Sequence, residues 1–414
     1  MRPPLAAVPG VILIACCPPA LAEDIRFRTI TICNDFPSAY HTAAAHMNKD
    51  GRPDILVLGE PPGTVDWFEN PGRMDAPWPR HPITGDQTRR NIDLAVEDVD
   101  RNGCFDVVVA SDFEWANSDH DSLVSWFRQT APGGAEWTGV RICSVPTAHR
   151  VRWMDVDGDK RNELVVVPVL GRGAKPPTYR QAAVPITCHW VPKDPVHEPW
   201  LTRVIDRDMT IVHGASSIDW NGDGKDDLLT ASNQGIHLFL SEGEGRNVRW
   251  PKRQLAAGHQ GEAPNQGSSE VEVGKSKPGR FLAAVEPWHG NEVVVYTPPA
   301  GGPDAPGLWK RQVLDDSFKS GHALVCVDLD GDGTDEIVAG YRGEGTSLYG
   351  YRLAPGPNGR WQRFAIDPGA IAAQGCTAAD INGDGRMDIV AVGGSTHNVK
   401  LYLNETSPAS RPTE

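Results

Sequence analysis

The chain has 414 residues, 43 of them glycine and 35 proline, and its 40 basic and 54 acidic side chains leave a formal net charge of −14. No basic cluster is present, which argues against nucleic acid and against an anionic membrane surface, since both need grouped Lys and Arg. Length alone would allow two or three domains, but self-similar units fill the chain and make one repeat domain the better reading.

The first 22 residues read as an export signal: one arginine, an apolar run from Leu5 to Ala15, and a small-residue cleavage site at Ala20-Leu21-Ala22. The run is too short to remain across a bilayer. Leu13-Ile14-Ala15-Cys16 also resembles a bacterial lipobox, which would tether the chain through a lipid on Cys16. Either route exports the protein to a periplasmic or extracellular location. Export permits disulfides, and Cys326 and Cys376, on neighbouring repeats, are candidates for a bridge, with buried free thiols as the equal alternative.

The next segment, Phe27-Arg-Thr-Ile-Thr-Ile-Cys33, is an orphan strand. After it the chain repeats a unit seen best between Ser320 and Gly340: a histidine, an apolar strand, an acidic glycine turn and a second apolar strand. Counterparts of the turn at Asp328 begin at His46, Asp98, Asp155, Asp219 and Asp380, with a degraded one expected near Glu270. The template unit holds four strands, Ala323–Val327, Glu336–Gly340, Ser347–Leu353 and Trp361–Ile366. The last unit stops near Asn404 with three, so the orphan must supply its fourth. The expectation is an all-β, seven-bladed β-propeller of four-stranded antiparallel blades over residues 23–404, closed by the N-terminal strand and followed by a flexible tail over 405–414. Insertions at Asp112–Asp121 and Gly171–Pro185 separate strands two and three of blades two and three. Long loops on a repeat scaffold often carry function.

Carboxylates at alternate positions around a glycine make an oxygen-rich pocket suited to Ca²⁺. Three blades keep the full set: Asp219, Asn221, Asp223 and Asp227; Asp328, Asp330, Asp332 and Glu336; Asp380, Asn382, Asp384 and Asp388. The others are worn, with His46 at the first position of blade one, Asn102 in blade two, and Lys160 and Glu163 in blade three. The alternative is that these carboxylates cap backbone N–H groups without metal. In either case their role is structural.

Antiparallel blades put the acidic turns on one face and the loops entering strand one on the other. On that second face, six residues before each turn, stand His149, His213, His322 and Gln374, with Tyr40-His41, Arg90-Asn91 and Arg150 at or beside equivalent positions. Strand one is innermost, so these groups ring the channel mouth. Loops between strands two and three add Glu60, Asp112, Glu114, Trp115, His120, Arg172, Tyr179, Tyr341, Arg342 and His397, and blade five adds Glu286-Pro-Trp288-His289-Gly-Asn291. Neutral imidazoles serve as bases or hold a Zn²⁺ or Mg²⁺ ion, and arginines neutralise an enolate. Removal of a proton alpha to a carbonyl with loss of a β-oxygen substituent, from a keto-sugar or a uronate-type sugar, needs that combination. The candidates are His149, His213, His289 and His322 as base and metal contacts, Arg150 and Arg342 facing developing charge, and Tyr179 or Tyr341 as acid. His41, Asn91, Trp115, Glu286, Trp288, Asn291 and Gln374 are the candidate substrate contacts.

The acidic turns resemble the FG-GAP or VCBS repeats of integrin-α-type propellers over nearly the whole chain, a scaffold that hosts adhesion, sugar binding and lyase chemistry. His149, His322, the Glu286-to-Asn291 turn and the Gly171-Arg-Gly insertion look like the propeller domain of the fungal aldos-2-ulose dehydratases. That resemblance implies C–O elimination from a keto-sugar and a divalent metal. The cupin domains that carry the family's isomerase step have no counterpart in this sequence, so only dehydratase or lyase chemistry would carry over. The competing class is a non-catalytic carbohydrate- or protein-binding propeller.

Overall fold

A computed structural model describes residues 24–60, 63–277, 279–354 and 359–407. The proposed export signal and lipobox lie outside these residues. The described chain forms seven four-stranded antiparallel sheets and, apart from the 3₁₀ turns Gly85–Gln87 and Gly245–Asn247, no helix. The inner strands are Ala39–Ala45, Asp93–Glu97, Ala148–Met154, Val212–Ile218, Glu270–Ser276, Gly321–Val327 and Ala373–Ala379, and they pack around a central channel. Blade seven closes as the sequence implies. Phe27–Cys33 pairs antiparallel with Asn398–Asn404 as the outermost strand, which removes the open edge.

The second strands explain the packing. Ile55-Leu56-Val57-Leu58, Val107-Val108-Val109-Ala110 and their counterparts are buried along their whole length, because neighbouring blades cover both faces. Each such aliphatic side chain contributes roughly 1.5–3 kcal/mol on burial. Fourth strands such as Trp361–Pro368 mix exposed and covered residues, as an outer strand covered on fewer sides does.

Each acidic turn is held by its own carboxylates. Asp219 accepts N–H bonds from Gly222 at 2.8 Å and Gly224 at 3.0 Å, with both glycines in the left-handed region that lets the chain fold back on the carboxylate. At the end of the turn, Asp227 accepts from the Trp220 N–H at 2.9 Å and the Ser241 N–H at 2.7 Å, stapling the first hairpin to the end of strand three. Asp54, Asp106 and Asp388 repeat this staple in blades one, two and seven.

Two expectations change. Glu270 is not in a turn. It opens the inner strand of blade five, whose hairpin closes tightly between Ser276 and Gly279. The tail is tied down at its start: the Glu405 N–H donates to Arg26 at 2.8 Å, and buried Thr406 accepts from the Arg26 N–H at 3.0 Å. Asn404 is buried with its amide donating to the Leu329 and Met387 carbonyls. Of the two readings for Cys326 and Cys376, the structure has the free thiols.

Candidate functional site

The channel mouth is built by a repeated backbone device. In blades one, three, four, six and seven the pairing between strands one and two slips by one residue, and the residue left unpaired is Tyr40, His149, His213, His322 or Gln374. A bulge re-aims a side chain out of the ladder. Two residues before it the chain turns through the left-handed region at Ser38, Thr147, Ile211 and Ser320, and at Arg90 and Gly267 in blades two and five. Non-glycine residues hold that conformation only where the surroundings enforce it.

The imidazoles are oriented by their neighbours. His149 donates from Nδ1 to the His213 carbonyl at 2.9 Å, His213 from Nδ1 towards the Ser269 carbonyl at 3.3 Å, and His322 from Nδ1 to the Gln374 carbonyl. Each histidine thus reaches the equivalent residue of the next blade. With the proton on Nδ1, each Nε2 carries its lone pair inward. The His213 Nε2 lies 2.9 Å from the Nε2 of His289, delivered by the blade-five loop. His322 Nε2 lies 2.9 Å from the Tyr40 hydroxyl, and His149 Nε2 lies 3.5 Å from it. Ligand atoms of His213, His289 and His322 all fall within 4.8 Å of one another.

Beneath them Glu270 links the set together. Its carboxylate lies 2.9 Å from His213 Nδ1 and 2.6 Å from Arg150 Nη2, while Arg150 Nη1 reaches His149 Nε2 at 3.3 Å. Burial alone would raise the Glu270 carboxyl, but Arg150 and His213 hold it below the usual range, so it stays ionised. Burial holds His149, His289 and His322 well below the usual imidazole range; the Arg150 charge adds to this at His149 and that of Arg342 at His322. Burial also lowers His213, against the pull of Glu270. The four rings are neutral lone-pair donors at pH 7. Burial pushes Tyr40 up to about 12, keeping its hydroxyl protonated.

Above the imidazoles opens a cavity of about 570 Å³, whose wall includes His149, His213, His289, Tyr40, Glu60 and Arg342 on one side and Trp115, Tyr179 and Trp288 on the other. The two long insertions meet here and brace each other. Ser118 Oγ donates to the Ala174 carbonyl at 2.8 Å and Arg172 Nη1 to the Asp119 carbonyl at 2.7 Å. Arg90 pairs with Asp112 and Glu114, and His120 with Asp112, so these charged loop residues fix the wall and do not project from it.

Other candidates lie elsewhere. Tyr341 is buried in the core between blades five and six, its hydroxyl donating to the Gly345 carbonyl at 3.1 Å, and cannot act as acid in this cavity. Glu286 is fully buried behind the loop, bonded to Ser268, Tyr296 and Arg311. Asn291 donates to the Asp316 carbonyl, and His397 accepts from the Ser38 N–H. His41, beside Asp93 at 3.1 Å, and Gln374, which accepts from Arg342 at 2.7 Å, line a smaller chamber below. Asn91 is fully buried, and Ile92 takes the wall position in blade two. Sequence reasoning missed Glu270 because blade five has no acidic turn to count from; counting back from the apolar second strand Phe281–Val285 would have found it.

On the opposite face the full turn sets differ. Asp328, Asp330 and Asp332 bring ligand atoms together in blade six, as do Asp155, Asp157 and Glu163, and Asp98, Asp100 and Asp106, in the worn turns of blades three and two. In blades four and seven the fifth-position carboxylates instead meet basic side chains of their own turns, Lys225 with Asp223 at 3.4 Å and Arg386 with Asp384 at 2.5 Å.

Comparison with known proteins agrees with this geometry. Sequence models of the FG-GAP-like repeat match residues 46–109 and 328–391. The chain is a seven-bladed propeller that carries FG-GAP-like repeats in these two stretches. The model of the aldos-2-ulose dehydratase beta-propeller domain matches residues 122–299, the stretch that supplies His149, His213, Glu270, His289 and, of the aromatic wall, Tyr179 and Trp288. Aldos-2-ulose dehydratase of Phanerodontia chrysosporium is 24% identical over 387 residues, 87% of this chain, and the propeller spans about two fifths of that protein's length, 41%. Among solved structures, BBS1N in complex with ARL6DN has a TM-score of 0.55 at 11% identity, covering 95% of this chain and 100% of that one. A putative 6-phosphogluconolactonase from Bacteroides uniformis has a TM-score of 0.50 at 13% identity, covering 90% and 95%. These two likenesses bear on the fold alone.

Proposed function

We propose that this propeller is a carbohydrate C–O lyase of the dehydratase type, which removes a proton alpha to the carbonyl of a keto-sugar and expels a β-oxygen substituent. The observation that carries the reading is the convergence of the neutral His213, His289 and His322 nitrogens under a cavity walled by aromatic rings. The likeness to a dehydratase propeller supports the same chemistry.

His149 Nε2, the imidazole lone pair outside that trio, takes the α proton. Arg150 and Arg342 face the negative charge that develops on the carbonyl oxygen, and Tyr40 gives its proton to the leaving oxygen. Tyr179 belongs to the aromatic wall and binds. The donor set of His213, His289 and His322, each imidazole neutral and His213 backed by a carboxylate, suits a divalent ion such as Zn²⁺, which would polarise the carbonyl. On the far face, Asp328, Asp330 and Asp332 would hold a structural Ca²⁺ in blade six.

The test is to incubate the purified protein with neutral keto-sugars and with uronic-acid polysaccharides and follow the ultraviolet absorbance of a conjugated enone or unsaturated uronate. Absorbance growth that His149→Ala abolishes supports the reading. Carbohydrate binding across the panel with no new absorbance overturns it in favour of a binding propeller.

A further inference from the structure

The cavity is layered. Trp288 touches the imidazole floor, its ring centroid 5.4 Å from His289 and 6.5 Å from His213. Trp115 lies beyond it, 4.8 Å from Trp288, and Tyr179 lies 5.3 Å from Trp115 and 6.2 Å from Trp288. The sequence of contacts runs from histidines to Trp288 and only then to Trp115 and Tyr179.

Two features point to a ligand on the outer layer. Trp115 is 37% exposed although it sits on an insertion locked to its neighbour by the Ser118 and Arg172 bonds. Trp288, on the cavity wall between the imidazole floor and Trp115, carries an indole N–H with no acceptor among the described protein groups. A flat apolar surface beside an unused donor suits the C–H face and ring hydroxyls of a sugar.

Building on the lyase reading above, we propose that the outer aromatic layer is a subsite for a second sugar ring, so that the substrate is a neutral glycoside oxidised to a ketone on one ring and the group expelled is the other sugar. Loss of water would need only the inner layer. In the step, the Cα–H bond breaks and its proton passes to His149, a C=C bond forms between the α and β carbons, and the C–O bond to the second ring breaks. The electron pair leaves on that oxygen, which takes a proton from Tyr40 and departs as a hydroxyl of the released sugar. The ketone is already on the substrate, so no oxidant is consumed.

The experiment has two arms. Calorimetry of the full chain with an unoxidised neutral disaccharide and its monosaccharide needs no turnover. The disaccharide is expected to bind on the order of tenfold more tightly, and Trp115→Ala should bring it down to the monosaccharide. Equal affinities, or a Trp115→Ala variant that keeps the preference, overturn the subsite. In the second arm the keto-disaccharide should release one sugar for each enone formed; enone without released sugar overturns the leaving-group assignment. If the disaccharide is preferred through Trp115 but neither substrate yields enone, the subsite stands and the lyase reading fails.

Discussion

Each inner strand carries polar groups at both ends, and the two ends use them in opposite ways. At the acidic-turn end the side chains are consumed by the backbone: Asp219 and Asp227 spend their oxygens on five N–H groups of the turn and of the end of strand three. At the mouth the side chains lean on the backbone of the next blade and on Glu270 through Nδ1, and each Nε2 faces inward, where its neighbours are other functional side chains: Tyr40, Arg150 and a second imidazole. A group whose capacity is used by the local backbone stabilises the fold, whereas buried lone pairs gathered among exchangeable side-chain partners are poised for a ligand or a proton. The contrast assigns structure to one face and chemistry to the other.

The sharpest break of that contrast is a pair of substitutions. His149→Ala should lower turnover of a keto-sugar by about 10²–10⁴-fold, the scale of a lost general base, with little change in melting temperature. Asp328→Asn should do the reverse, lowering the melting temperature while turnover holds. Equal effects on turnover would erase the division between the faces.

Next in size is Glu270. Its carboxylate fixes the His213 tautomer and is itself fixed by Arg150. Glu270→Gln should weaken Zn²⁺ binding by about 10–100-fold in a chelator competition, as removal of a carboxylate behind a ligating histidine does. Unchanged affinity would mean that the carboxylate only neutralises Arg150.

On the structural face, Asp227→Ala strands two buried N–H groups, which costs roughly 1–3 kcal/mol for each. The urea midpoint should fall accordingly while turnover is preserved. A loss of activity at native stability would show that the turns communicate with the mouth.

How much of this was legible in the sequence follows from what repeats. The blade count, the closing strand Phe27–Cys33 and the face carrying His149, His213 and His322 all follow from the spacing of one turn motif. Blade five lost that motif, and with it went the register that would have placed Glu270 on a strand. Tyr341 misled because it follows strand two as a loop residue should, yet its ring finds Phe318 4.8 Å away and turns into the core. In the acidic turns, sequence counts carboxylates but does not show that Lys225 and Arg386 reach Asp223 and Asp384. Tyr40 stood at the right register, and only its distance from His322 ties its hydroxyl to the imidazole cluster.

The finest test of the contrast lies within blade one, where His41 stands near the mouth end of the inner strand and Asp54 answers it from the turn end of the next. Burial lowers His41 to about 4, against the pull of Asp93, while burial raises Asp54 to about 6, against its two backbone N–H bonds. For His41 the unfolded chain, with an ordinary imidazole near 6.5, binds more protons between about pH 4 and 6.5, so its contribution to stability is lost as pH falls through that window. For Asp54 the folded chain binds more protons between its ordinary value of 3.8 and about 6, so its contribution is lost as pH rises through that range. The two ends of one blade therefore tilt the stability curve in opposite directions over nearly the same interval. Melting temperature followed from pH 4 to 6.5 should fall less on acidification in His41→Gln than in the native chain, and should fall more in Asp54→Asn. Shifts of the same sign in both variants would show that the two ends titrate as one coupled network.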